Sequence, residues 1–141
     1  MRLLACLTCL CGFVLLSPFT PQVRAETKPV KLINEWKGSV ADETKQKTAP
    51  ECITTAKALG QLWMAWGIAA KVPSVDFAKQ IVIVGTAGGS RLNLTARLDD
   101  NGNLEVLGMQ TLDIAPGFRY VIATVGREGI KTVNKKVLPS E

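Results

Sequence analysis

The sequence predicts an α+β domain: a mostly antiparallel, sandwich-like β core with one amphipathic helix packed on it. Three observations carry this expectation. A single segment, ending at Trp66-Gly67, repeats apolar residues at helical spacing. Beyond Pro73 the texture becomes β-branched and alternating. Asp99-Asp100-Asn101-Gly102 places a strong turn between two alternating runs. Long antiparallel runs beside one helix define this class.

The chain opens with Met1-Arg2, an apolar run over residues 3–16, two prolines at Pro18 and Pro21, and Val23-Arg24-Ala25. That order reads as a secretory signal peptide cut after Ala25. The protein is therefore expected to be secreted or periplasmic, with no stable membrane anchor after processing. The apolar run falls short of the roughly 20 residues a spanning helix needs. Cys6 lies near the start of the apolar run instead of after it, which argues against lipidation at Leu3-Leu4-Ala5-Cys6. The organisation that follows is a signal peptide over 1–25, an extended arm and polar loop over 26–48, and one α+β domain over 49–141.

In the arm, Val30, Leu32 and Trp36 alternate, as in a short strand that docks on the core. Residues 38–48 are polar and read as a loop. Thr48-Ala49-Pro50-Glu51 has the form of a capped helix start. The predicted helix runs from there to Trp66, with Ile53, Ala56, Leu59, Trp63 and Trp66 on one face and Gly67 at the stop. Lys57 and Gln61 point to solvent, and Gly60 allows close packing. Residues 81–84 form a strand buried on both faces. Leu92, Leu94, Ala96 and Leu98 give the next strand a dry face. The Asn101-Gly102 turn leads to its partner over 104–109, with a bulge at Gly108. Residues 118–125 form a central strand, with Tyr120, Ile122 and Thr124 on one side and Val121, Ala123 and Val125 on the other. A last strand spans 130–133, and Asn134-Lys135 turns the chain toward Val137 and Leu138.

Composition excludes several chemistries. There is no histidine, which removes Ser-His and Cys-His pairs and imidazole ligands. Of the four cysteines only Cys52 lies beyond residue 25, so no internal disulfide is expected in the processed chain. After Ala25 there are 15 basic and 12 acidic side chains, a net charge of +3. The basic residues are scattered apart from Arg127, Lys131, Lys135 and Lys136, which argues against nucleic acid as a partner. No cofactor or metal is expected. The oxygen-rich Asp99, Asp100, Asn101, Asn103 and Glu105 lack the spacing of a calcium loop.

The segment 85–90 is glycine-rich, but a strand follows it and no Gly-Lys-Ser/Thr is present, which excludes a phosphate loop. Its competing readings are a strand connection with unusual dihedrals and a protein-binding loop made by Gly88, Gly89, Ser90 and Arg91, with Arg91 as anchor. Trp63 and Trp66 suit a helix core and, alternatively, a small-ligand or cell-wall glycan site. A hydrolase based on Asp76 or Asp113 with a lysine is the third class, and no catalytic residue is assigned.

The order of Leu62-Trp63 on a helix, Val75-Asp76-Phe77 before a strand, Gly88-Gly89, and Pro116-Gly117-Phe118-Arg119-Tyr120-Val121-Ile122 resembles the carboxy-terminal domain of the protease-complex subunit PrcB family over residues 53–126. Ser90-Arg91 departs from that family, whose members carry an aromatic residue after the paired glycines. The resemblance implies an exported, non-enzymatic domain, with a protease complex as the partner of some members. Together these readings give an exported protein-interaction module whose partner is another exported protein.

Overall fold

The structure is a computed structural model, and it describes residues 26–139. The signal-peptide reading lies outside those residues. Nine strands, one α-helix and one 3-10 turn are described: β1 (Thr27–Val30), β2 (Asn34–Val40), the 3-10 turn (Glu43–Thr48), β3 (Cys52–Ile53), α1 (Ala56–Trp66), β4 (Gln80–Ala87), β5 (Leu92–Asp99), β6 (Asn103–Gln110), β7 (Phe118–Gly126), β8 (Thr132–Val133) and β9 (Lys136–Val137). They form three layers. One sheet has the order β2-β7-β4-β3 and the other β1-β5-β6-β8-β9. The helix covers the outer face of the first sheet.

This arrangement confirms the expected β-rich α+β class and explains the continuous apolar run of β4. Ile81 and Ile83 face the second sheet with Val121, Ala123 and Val125. Val82 and Val84 face the helix with Phe118, Tyr120 and Ile122. Alternate residues thus enter two different cores, so both faces of β4 and β7 are mainly apolar. Their pairing is unbroken from Gln80↔Gly126 to Ala87↔Arg119. Leu92, Leu94 and Ala96 supply the opposing wall from β5. Gly85 lies within β4 because a Cβ there would meet Leu94 Cδ2 at 2.4 Å. The glycine lets a leucine of the facing sheet approach the backbone.

The helix starts later than its sequence signature suggests. Cys52 and Ile53 pair with Ile83 and Val82 as a strand, so sheet pairing overrides the capping signal at Thr48. Thr55 is the true cap, its hydroxyl accepting from the Ala58 N–H at 3.2 Å. Glu51, the expected capping partner, is bound instead to Lys136. Leu59, Leu62, Trp63 and Trp66 form the buried face, whereas Ala56 is exposed. Burying each such side chain contributes about 1.5–3 kcal/mol. Gly67 ends the helix at φ 65°, as expected. Nothing lies within 4 Å of a Cβ built on Gly60, so close packing does not account for that glycine.

Three other local readings change. Residues 38–48 are not simply a loop: they complete β2 and then form the 3-10 turn. Gly108 is not a bulge, since β5 and β6 keep one register from Leu92↔Gln110 to Leu98↔Leu104. It lies opposite Leu94, where a Cβ would come within 3.3 Å of Leu92 Cδ1. The last strand shrinks to β8, which runs parallel to β6 because the chain has crossed between sheets after β7. Asn134 and Lys135, at φ 47° and 67°, then form the tight turn into β9.

Candidate functional site

The 88–91 segment connects β4 to β5, and thus one sheet to the other. It is held by the segment after β6. Ser90 donates its main-chain N–H to Asp113 Oδ1 at 3.0 Å. Arg91 N–H donates to Thr111 Oγ1 at 3.1 Å, and Thr111 N–H returns to the Arg91 carbonyl at 3.2 Å. Ala115 N–H reaches the Gly88 carbonyl at 3.4 Å. Hydrogen bonds from the Ser90 and Thr111 side chains and the Ser90 main chain hold the Asp113 carboxyl well below its ordinary range.

The paired glycines have different roles. Neither has a positive φ, so unusual dihedrals do not account for them. A Cβ on Gly89 would sit 2.2 Å from the Thr111 carbonyl oxygen, while Gly88 faces open space. Gly89 is thus required by the close approach of two main chains, and Gly88 is left available on the surface.

Asp113 is bonded to the 88–91 segment while its two neighbours stay in solvent. Leu112 and Ile114 are 99% and 101% exposed. A hollow of about 430 Å³ lies between them, the paired glycines and the 3-10 turn. The sequence reads residues 113–117 as a turn around Pro116 but does not single out this apolar pair, because exposure depends on what packs beside a side chain and not on its type.

On the other side of Ser90 and Arg91 lies a cleft of about 440 Å³, also lined by Lys37, Ser39, Leu92 and Arg119. It is the mouth between the two sheets, where β2 and β7 face the first residues of β5. Lys37 Nζ lies 3.1 Å from Glu35 Oε2 and donates to Asn93 Oδ1 at 3.2 Å. Arg119 donates to the Pro116 carbonyl at 3.3 Å.

The other named residues have structural surroundings. Trp63 and Trp66 are 3% and 6% exposed. Trp63 donates its indole N–H to the Ala70 carbonyl at 2.7 Å, and Trp66 packs edge-on against Phe118 at 5.3 Å. Their rings are therefore covered by core neighbours. Asp76 accepts from the Ala78 N–H in the turn before β4 and makes a solvent-exposed ion pair with Lys79 at 3.8 Å. Val75 and Phe77 pack beside the helix. Arg127 donates to the Phe77 carbonyl and Lys136 binds Glu51, so two of the four clustered cations carry structural bonds. Burial raises the pKa of the Cys52 thiol, with the nearby Glu51 charge adding to it. Among the described residues, no group of acidic, cysteine or histidine side chains could hold a metal ion, and no helix is long and apolar enough to cross a membrane. No protein-family model matches the chain, and neither does any curated protein or solved structure.

Proposed function

We propose that this protein is an exported, non-enzymatic interaction module that grips another exported protein with its 88–91 and 111–117 segments. The observation that carries the reading is the pair Leu112 and Ile114, fully exposed on a segment whose intervening Asp113 is bonded back to Ser90. Large apolar side chains held out in water are characteristic of contact surfaces. They flank Gly88, Gly89, Ser90 and Arg91, the binding residues the sequence singled out. Tying the segment down before contact reduces the ordering cost of association. An enzymatic reading has less support: Asp113 is occupied by hydrogen bonds, and Asp76 serves a turn. A glycan reading through Trp63 and Trp66 has little to use, since both rings are buried.

The resemblance of residues 53–126 to the PrcB family supports a protease as the partner, and the amino-terminal sequence supports export. The test is native affinity capture from the source's exported fraction, with the processed chain as bait beside a Leu112→Asp/Ile114→Asp double variant. The expected result is one stoichiometric protein, identified as a protease by mass spectrometry, held by the parent and lost by the variant. Equal capture by both baits, or none by a folded parent, would overturn the proposal.

A further inference from the structure

We infer that the basic cleft between the sheets is a second binding site, one that takes an acidic, extended peptide segment as an added strand along β5. This goes beyond the interaction surface proposed above, because it names a second face, which shares Ser90 and Arg91 with that surface, and the chemistry of its occupant.

The first support is a stretch of β5 edge that no strand pairs with among the described residues. β1 pairs with β5 only from Val30↔Ala96 to Thr27↔Asp99. Arg91 directs its main-chain N–H and C=O toward Thr111 on the β6 side. Main-chain groups alternate sides along an antiparallel strand, so Leu92 and Leu94 direct theirs away from β6. Among the described residues no strand pairs with them there. Strand edges without a partner strand accept an extended peptide through main-chain hydrogen bonds.

The second support is charge. Lys37, Arg91 and Arg119 line the cleft, and no carboxylate does. Glu35 meets Lys37 from outside the lining. Arg119 has one guanidinium bond, to Pro116, and a guanidinium offers five N–H donors. Arg91 has no side-chain hydrogen bond or ion pair among the described residues. Much of the donor capacity of two arginines therefore remains for carboxylates, which a guanidinium can bind in bidentate fashion.

The third support is how the edge is guarded. Lys37 reaches from β2 to Asn93 on β5, beside the open main-chain groups. A lysine laid beside an edge discourages pairing with another strand. An acidic segment can draw that lysine into an ion pair, whereas a neutral or basic segment cannot. The same side chain then selects the occupant by charge.

The test is an NMR titration of the isotope-labelled processed chain with a blocked Glu-Val-Glu-Val-Glu peptide. The controls are a Lys-Val-Lys-Val-Lys peptide and sodium phosphate. The acidic peptide is expected to shift the Leu92 and Leu94 amides saturably. Its affinity should fall on the order of tenfold as salt rises from about 50 to about 500 mM, since exposed charge pairs are screened. Arg91→Glu, an exposed change remote from the cores, should weaken the acidic peptide and admit the basic one. Spectra unchanged away from the cleft show that the variant is folded. Equal binding of both peptides by the parent would overturn the inference. So would silent Leu92 and Leu94 amides, or phosphate reproducing every shift. The Leu112→Asp/Ile114→Asp variant should titrate like the parent, which separates failure of this site from failure of the apolar surface.

Discussion

Ser90 and Asp113 are joined by a hydrogen bond of 3.0 Å from main-chain N–H to carboxylate, across 23 residues of sequence. This contact fixes the segment between the sheets against the segment after β6. Leu112 and Ile114, on either side of the bonded Asp113, are left exposed. The candidate surface is thus organised by one exposed carboxylate and not by the core.

The latch has a defined pH dependence. Hydrogen bonds lower the Asp113 pKa from its ordinary 3.8. A depressed folded-state pKa means that its contribution is fully present above the unfolded value. It is lost as pH falls through the folded one. The Asp113 carboxyl should therefore titrate below 3.8 by NMR, and Asp113→Ala should speed Ser90 amide exchange on the order of tenfold at neutral pH. An ordinary Asp113 titration with unchanged exchange would contradict the latch.

The two glycines should separate in a stability measurement. Gly89→Ala places a methyl against the Thr111 carbonyl and is expected to cost about 1–3 kcal/mol in urea unfolding. Gly88→Ala meets nothing and should stay within about 0.5 kcal/mol of the parent. Equal costs at both positions would remove the close-approach explanation.

Cys52 is expected to be inert in the native protein. It is 8% exposed, and burial raises its pKa, so little thiolate is present near neutrality. A thiol reagent should label it slowly at pH 8 in buffer and rapidly in urea. Fast labelling of the native chain would place the thiol at the surface.

The position of the helix cap gives a fourth outcome. Thr55→Ala removes the acceptor for the Ala58 N–H and should cost about 0.5–2 kcal/mol. Thr48→Ala removes only an exposed bond to the Lys45 carbonyl and should change stability by less than about 0.5 kcal/mol. Chemical denaturation of both variants checks the order.

The sequence by itself determined the class, the central strands and the hairpin. The run at Ile81, Val82, Ile83 and Val84 requires two apolar neighbours, and the alternation from Leu92 to Leu98 requires one. The Asn101-Gly102 turn has few alternatives: Gly102 sits at φ 86° and Asp99 Oδ1 accepts the Asn101 and Asn103 N–H groups. These features are local, so their physics is written in adjacent residues. Only the tertiary structure decided where the helix begins, because the claim of β4 on Cys52 and Ile53 is a long-range pairing that no local capping signal reports. It likewise decided which glycine is structural, since the Thr111 carbonyl that excludes a Cβ at Gly89 lies 22 residues away in sequence. The candidate surface belongs to this second kind. Leu112, Ile114, Arg91, Lys37 and Arg119 acquire their roles from neighbours brought by the crossing of the chain between two sheets, and that crossing has no local signature.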